Sequence, residues 1–443
     1  LAKSWDISDD GLTYTIHLQE GVKWHDGTDF TADDAAFSID LFKNGTNEQA
    51  TAGTYIDHAE VVDKNTVKMI MKAPYAPILA VWGRDGYVYS KHHYEVTCKG
   101  DYNVFNLTPS GTGPYKYVSY KGGEGMSLTF NDSYWNKKIL PQKPLKTIEL
   151  RIITDTNAIQ TALETDSLDF AGVAISIPSE NYDYFSGKDN FEVTAGGSTM
   201  TWYCPINCEK YTDSKVRQAM AYALDRKFII DLMDAGNGTE ANTLAGKKCF
   251  GYTEQAAYAY DVAKAKSLME ESGHKDGAGL PELQIVVRPD RKTGGEALQS
   301  MWNEIGIKSR VDVQEATTYL SEIKKGNFGT SIISQTVCLD VGGTIENFSD
   351  PAKGASMTRW YDQQVWDWLQ QANASIDNAT RMEYFTKAFT AVHDAVPMIY
   401  LFYDTKIYVH RANLVLGSTY VDPPALRFFE CYWLPEGQKA PQK

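Results

Sequence analysis

The chain has no apolar run that approaches the roughly 18 residues of a membrane-spanning helix. It also lacks an excess of positive charge: 43 Lys and Arg stand against 57 Asp and Glu, a net −14. That balance argues against nucleic acid and anionic membrane surfaces as partners, and fits a solvated protein or one meeting cationic or zwitterionic ligands. Catalytic and nucleotide-binding signatures are missing too. There is no G-x-S-x-G elbow, H-E-x-x-H, Walker A loop or G-x-G-x-x-G. Cysteine is sparse, with six residues at 98, 204, 208, 249, 338 and 431. Cys204 and Cys208 do not form a C-x-x-C motif, and no second close pair completes a zinc site. Their scattered spacing leaves disulfides and buried free thiols both open. His92 and His93 are adjacent, so on a strand they face opposite ways and make a poor metal pair; a surface position is the simpler reading. Nothing selects a pair of carboxylates for glycoside hydrolysis. The residues ask for no cofactor and no metal. Neither an initiating Met nor a signal-peptide pattern is seen, so the compartment has to come from family likeness.

What is present is a folded-protein composition, 43% hydrophobic and 12% aromatic. At 443 residues the chain is too long for one ordinary core, so two or three domains are expected. The opening stretch carries the clearest pattern. Leu12, Tyr14, Ile16 and Leu18 alternate with Thr13, Thr15, His17 and Gln19, which describes a half-buried strand. Gly21 ends it, and Trp24-His25-Asp26-Gly27 has the Asp-Gly chemistry of a tight turn. Thr31, with Asp34 three residues on, opens a helix expected to reach Lys43, where Asn44-Gly45 supplies a left-handed stop.

The ordered run SW, DGLTYTIHL, GVKWHDG, FTADD resembles the signature region of the extracytoplasmic solute-binding proteins of ABC importers, family 5, the peptide/nickel-binding type. Gln19 departs from that pattern, which has Arg or Lys there. The resemblance implies an α/β, two-lobed periplasmic-binding-protein fold, in the class with an extra small subdomain. Mixed sheets flanked by helices and two crossing hinge strands come with it. It also implies that a family segment preceding this motif, with one strand and part of the cleft, is missing here.

Residues 1–108 read as the small α+β subdomain of lobe I, with a strand at 66–72 broken by Pro74 and Pro77, and a polar, aromatic loop at 98–106. Pro109-Ser110-Gly111-Thr112-Gly113-Pro114-Tyr115 marks a sharp reversal at a domain edge. It has neither the Lys-Ser/Thr step nor the spacing of a phosphate loop. The GTGPY run and the following Tyr134-Trp135 resemble the family's entry into its main lobe. A strand at 146–154, an Asp155-capped helix and a strand from Leu168 are expected to form a β-α-β unit. Residues 199–207 read as a crossing strand. Asp213 should cap the strongest helix, with Val216, Ala219, Met220, Ala223, Leu224, Phe228 and Leu232 as its buried stripe. Within it, Val216-Arg217-Gln218-Ala219 and Ala223-Leu224-Asp225-Arg226 resemble a second family hallmark; Asp225-Arg226 is read as packing and capping. Residues 283–336 alternate strand and helix. Helices at 363–376 and 379–395 and a strand at 396–403 follow. The main part of lobe I is then 109–202 with 407–443, and lobe II is 203–406. Crossings near Tyr203 and Asp404 make a hinge and place a cleft between the lobes.

Residues 334–340 end a strand and run into Val341-Gly342-Gly343. Thr336, Cys338 and Asp340 share one face at i, i+2 and i+4. In the family's peptide binders an Asp after such a strand end takes the α-ammonium group of the ligand. The resemblance therefore implies Asp340 as anchor, with Thr336 and Cys338 offering backbone groups to an extended peptide. Val341-Gly342-Gly343-Thr344 stands where the family often has Asn-Gly-Asp-Pro. Taken alone, Asp340 is a turn-capping residue. Trp202, Tyr203 and Tyr403 lie on the crossings and are candidates to line the cleft, although single aromatics serve more often as core.

The expected function is a non-catalytic, monomeric receptor. It captures an oligopeptide or dipeptide between two closing lobes and hands it to the ABC permease membrane subunits. The expected place is extracytoplasmic: the periplasm, or the cell surface as a lipoprotein in a Gram-positive bacterium. Closure requires ligand contacts that differ between open and closed states. An oligosaccharide or a nickel chelate in the same role is an alternative, and a secreted carbohydrate-active enzyme is the alternative from another class.

Overall fold

A computed structural model describes residues 1–44, 52–172, 177, 181–196, 198–344, 357–421 and 424–441. The chain divides into two compact units, Leu1–Gly197 with Lys406–Lys443, and Ser198–Thr405. The stop expected at Gly45 lies outside the described residues.

The first unit opens with β1 (Ala2–Ile7), β2 (Thr13–Leu18), β3 (Ile56–Asp63) and β4 (Thr66–Met71) in one antiparallel sheet of order β1-β2-β4-β3. Tyr14 lies opposite Met69 and Ile16 opposite Val67, so the alternation seen in the sequence sets one apolar face. The helix Ala32–Lys43 packs on β3 and β4. Its start is wired to the preceding turn. The buried Asp34 carboxylate accepts the Thr31 N–H at 3.0 Å, the Trp24 indole N–H at 3.1 Å and the Lys91 N–H at 2.9 Å. Three donors offset the cost of burying that charge. His25 ties the same turn to the GTGPY run. Its Nδ1 accepts the Gly111 N–H at 3.1 Å, its Nε2 lies 3.0 Å from the Gly113 carbonyl, and its own N–H donates to Gly111 O at 2.8 Å. Because Nδ1 is an acceptor, the proton sits on Nε2. A Cβ on Gly111 would come within 3.2 Å of the His25 ring, so glycine permits the close approach.

β5 (Tyr115–Lys121), β6 (Gly125–Phe130) and β7 (Thr147–Arg151) form an antiparallel meander. Asp155 caps the helix Thr156–Glu164 by accepting the Ala158 N–H at 2.7 Å. β8 (Phe170–Ala171) and β9 (Phe191–Gly196) follow. The expected β-α-β unit is not formed: β7 joins the meander and β8 another sheet. The adjacent hairpin offers β7 a partner at small loop-closure cost. Residues 98–106, expected as a loop, contain most of a short helix, Tyr102–Leu107, capped by Asp101, with Phe105 buried against Tyr89, His93 and Tyr94. His93 itself is buried, its Nε2 2.6 Å from Thr108 O, whereas His92 is exposed.

In the second unit, β10 (Met200–Pro205) and β11 (Thr239–Glu240) are followed by β12 (Leu283–Val287), β13 (Ser309–Val313) and β14 (Thr330–Ser331). The last three are parallel, in the order β13-β12-β14, with the helices Lys292–Glu304 and Ala316–Lys325 between them in the chain. The apolar strand expected at 330–336 serves two sheets. After β14 the chain switches at Ile332, and β15 (Ile333–Thr336) pairs antiparallel with β10. β16 (Met398–Tyr403) pairs on the other side, giving the order β11-β16-β10-β15. Both faces of this sheet are covered. Cys204, Ile399 and Leu401 enter the core built with the helices Ser214–Tyr222 and Lys292–Glu304; Tyr203, Met398 and Tyr400 enter that built with Gln363–Ala374 and Asn378–Ala395. The chain then returns to the first unit, where β17 (Lys406–Arg411) lies between β8 and β9.

The single helix expected after Asp213 is two, Ser214–Tyr222 and Arg226–Asp234. Asp225 recaps the second by accepting the Phe228 N–H at 3.0 Å. The break resets the helical phase. Ile229 and Ile230 point inward, while Phe228 and Leu232, expected in the buried stripe, are 49% and 39% exposed. Two buried arginines explain the hallmark wording around the break. Arg226 donates to the carbonyls of Tyr400 at 2.8 Å and Tyr258 at 2.7 Å; Arg217 donates to those of Ala395 at 2.9 Å and Tyr211 at 2.7 Å. Each sews separate segments together.

Two predictions follow from this wiring. Arg226→Leu strands buried carbonyls and should lower the unfolding free energy in urea by about 3 kcal/mol; an unchanged midpoint would show that these bonds do not matter. Burial holds the pKa of His25 below the ordinary histidine value, against the opposing pull of Gly113, and burial does the same to His410. A base with a depressed folded pKa gives stability that is whole above its unfolded pKa, about 6.5. That stability is lost as pH falls through the folded value. The melting temperature should therefore drop on acidification below that point, and His25→Gln should flatten part of the drop.

Candidate solute-binding face of the second unit

The sheet brings the beginning and end of the second unit together. Met200 lies opposite Thr336, Thr201 lies opposite Tyr403, and the Asp404 N–H donates to Met200 O at 2.9 Å. At this end the Trp202 indole N–H donates to Asp404 Oδ1 at 3.2 Å. Phe402 stacks on the indole at 5.5 Å and 17°, and the Arg291 guanidinium lies 4.7 Å from its centre.

Arg291 comes from the turn Pro289–Arg291, just past the carboxyl end of β12. It donates to Ile332 O at 2.6 Å and to Ser334 Oγ at 3.2 Å, so it grips the chain at the sheet switch. Its side chain is only 10% exposed, and its Nε is buried without a hydrogen-bond partner, 3.8 Å from Asp290 Oδ2. Burial pulls its pKa below the usual arginine value; it stays a cation. Arg288, more exposed, pairs with both oxygens of Asp290 at 2.9 Å. The carboxyl ends of parallel strands are where ligands of open α/β sheets gather.

The residues expected at the site divide into two groups. Trp202, Thr336 and Tyr403 are half-buried. The Tyr403 hydroxyl donates to the carbonyls of Thr243 at 3.1 Å and Ala245 at 3.2 Å, and burial pushes its pKa up to about 12. Tyr203 and Cys338 lie in the interior. Tyr203 is wholly buried on the face of β10 turned to the late helices, with its hydroxyl 3.2 Å from Gln335 Oε1 and its pKa raised by burial. The alternation along β10 turns it away from Trp202. Cys338 is buried where the chain dips inward after β15, its N–H held by Thr344 Oγ1 at 2.9 Å.

Asp340, expected to face a ligand ammonium group, is turned onto Arg381. The guanidinium meets both carboxylate oxygens at 2.8 Å. Asp340 also accepts the Gly342 N–H at 3.0 Å and caps the turn Val341–Gly343. Arg381 further donates to Ala372 O at 3.0 Å and lies 4.6 Å from the ring of Phe250 and 5.5 Å from that of Phe385. Arg288, Arg291, Arg381 and Asp404 are the residues that sequence reasoning did not single out for the site. Arg291 carried a usable signal, its place just after strand 283–287. Arg381 carried none, being one polar residue inside a long helix.

Among the described residues no three metal-ligating side chains gather, and all six cysteines are buried outside any disulfide. The arrangement offers fixed charges and main-chain groups beside an indole, which is chemistry for binding. Tyr403→Phe removes the hydroxyl from two buried carbonyls and should cost about 1 kcal/mol in a urea titration; a loss indistinguishable from zero would show the bond to be idle.

Residues 1–348 match the family model for bacterial extracellular solute-binding proteins, family 5 Middle. The chain is 28% identical over 465 residues to the dipeptide-binding protein of Escherichia coli, covering 97% of this chain and 85% of that one. Its fold matches NikZ from Campylobacter jejuni, solved in complex with Ni(L-His), with a TM-score of 0.81 and 26% identity over 97% of this chain and 90% of that one. It also matches the DppA periplasmic binding protein of Helicobacter pylori, solved in complex with the peptide STSA, with a TM-score of 0.80 and 23% identity over 98% of this chain and 88% of that one. No described helix is long and apolar enough to cross a membrane. The chain thus belongs to the family 5 extracellular solute-binding proteins, with their periplasmic-binding-protein fold, and is a non-enzymatic solute receptor of an ABC importer that works outside the cytoplasm.

Proposed function

We propose that the imported solute is a short peptide, a dipeptide or oligopeptide, laid extended along β15 and handed to the ABC permease. The observation that carries this reading is the place of β15. It is the outermost strand of its sheet among the described residues, and its Ser334 is held by Arg291. An outer strand takes an extended main chain as an added strand, which gives affinity without reading side chains. Arg291 places a guanidinium next to that strand, and Arg288, three positions earlier in the chain, adds a more exposed one that pairs with Asp290; guanidinium groups suit a terminal carboxylate. The passages between the units, at residues 197/198 and 405/406, are then the bending points on capture. An oligosaccharide fits less well, because the Trp202 ring it would stack on is already engaged by Phe402 and Arg291.

The test is native mass spectrometry of the purified protein, followed by calorimetry with di- to pentapeptides, nickel–histidine and a maltooligosaccharide. A co-purified peptide and micromolar or tighter peptide binding are expected. Arg288→Gln, at a partly exposed side chain, should weaken peptide binding about 10-fold by removing a charge-assisted contact. Binding of the chelate or the sugar with none of the peptides would overturn the peptide reading.

A further inference from the structure

Beneath the end of β15 lies a buried polar cluster that binding along the strand does not by itself require. Asp340 and Arg381 are 7% and 4% exposed, and Arg381 meets both carboxylate oxygens at 2.8 Å. Asn373 donates its side-chain N–H to Gly342 O at 3.1 Å. Main-chain bonds lock the same loop from the other side: the Phe250 N–H donates to Leu339 O at 2.6 Å, and the Val341 N–H donates to Phe250 O at 3.0 Å. Gly251 lies so close that a Cβ there would come within 2.2 Å of Val341 Cγ1. The loop is thus held by two helices and a neighbouring segment, independently of any solute.

The charge balance has a consequence for specificity. A buried carboxylate bridged by a guanidinium has no net charge to offer a second cation, and taking it from Arg381 would leave that guanidinium buried and unpaired. We infer that Arg381 is a positioning residue that keeps Asp340 as a structural counter-ion, so that the solute needs no positive charge where it meets the end of β15. This rests on the peptide reading above and narrows it: peptides with a free amino terminus and peptides whose amino terminus is blocked are accepted alike. Recognition there runs through main-chain groups, and charge selection lies with Arg291, whose Nε is buried without a hydrogen-bond partner.

Two measurements decide the matter. The first compares the affinity of one peptide with that of its N-acetylated form, in the wild type and in Asp340→Asn. The expected results are affinities within about threefold of each other and no selective loss for the free amine in the variant. A carboxylate that pairs with an ammonium group would instead give about 10- to 100-fold preference for the free amine, abolished in Asp340→Asn; that result overturns the inference. The second measurement is a thermal double-mutant cycle with Asp340→Asn, Arg381→Lys and the double variant, both substitutions being close in size so that the fold survives. Losses in melting temperature that are smaller together than their sum mark a coupled pair and support the inference, whereas additive losses overturn it. If neither peptide form binds, the peptide reading fails, and the cycle alone still decides whether Asp340 is a structural ion.

Discussion

The antiparallel pairing of β10 with β16 is the constraint on which the second unit depends. These strands lie close to its start and its end, and the Asp404 N–H donates to Met200 O beside them. Buried on both faces, the pair supplies side chains to two cores at once. Trp202 and Asp404 are brought together although 202 positions separate them in the chain. The chain leaves the unit beside this pairing and returns as β17 in the first unit.

Buried arginines do much of the fastening, in distinguishable ways. Arg217 and Arg226 donate to carbonyls of other segments and serve as struts. Arg381 holds a carboxylate and serves as a clamp on a loop. Arg291 holds the chain at the sheet switch but keeps a buried Nε without a hydrogen-bond partner. Incomplete satisfaction, next to a more exposed arginine at the carboxyl end of a parallel strand, sets Arg291 apart from the other three. The first unit uses another device. Asp34 and His25 bind the Trp24–Gly27 turn to the helix start and to the GTGPY run, so motifs 86 positions apart form one hydrogen-bonded node.

Much of this was determined by the sequence alone. Period-two alternation built β2 and β4, the cap at Asp155 lies where a helix begins, and the strand–helix alternation from Leu283 gave the parallel sheet. The receptor fold came from the resemblance of the motifs to the family, whereas short-range spacing recorded which face is buried and where a segment starts and stops. The tertiary structure alone decided who meets whom. It broke the helix after Asp213, because Arg226 reaches Tyr400 and Tyr258 only from a second, recapped helix. It bent residues 330–336 into two sheets, each offering a pairing to half of the segment. It gave Asp340 to Arg381, 41 positions away, although the family resemblance pointed toward a ligand. Periodicity is a local property of the chain, whereas a counter-ion or a neighbouring strand is chosen by packing among segments whose separation in sequence leaves no local trace.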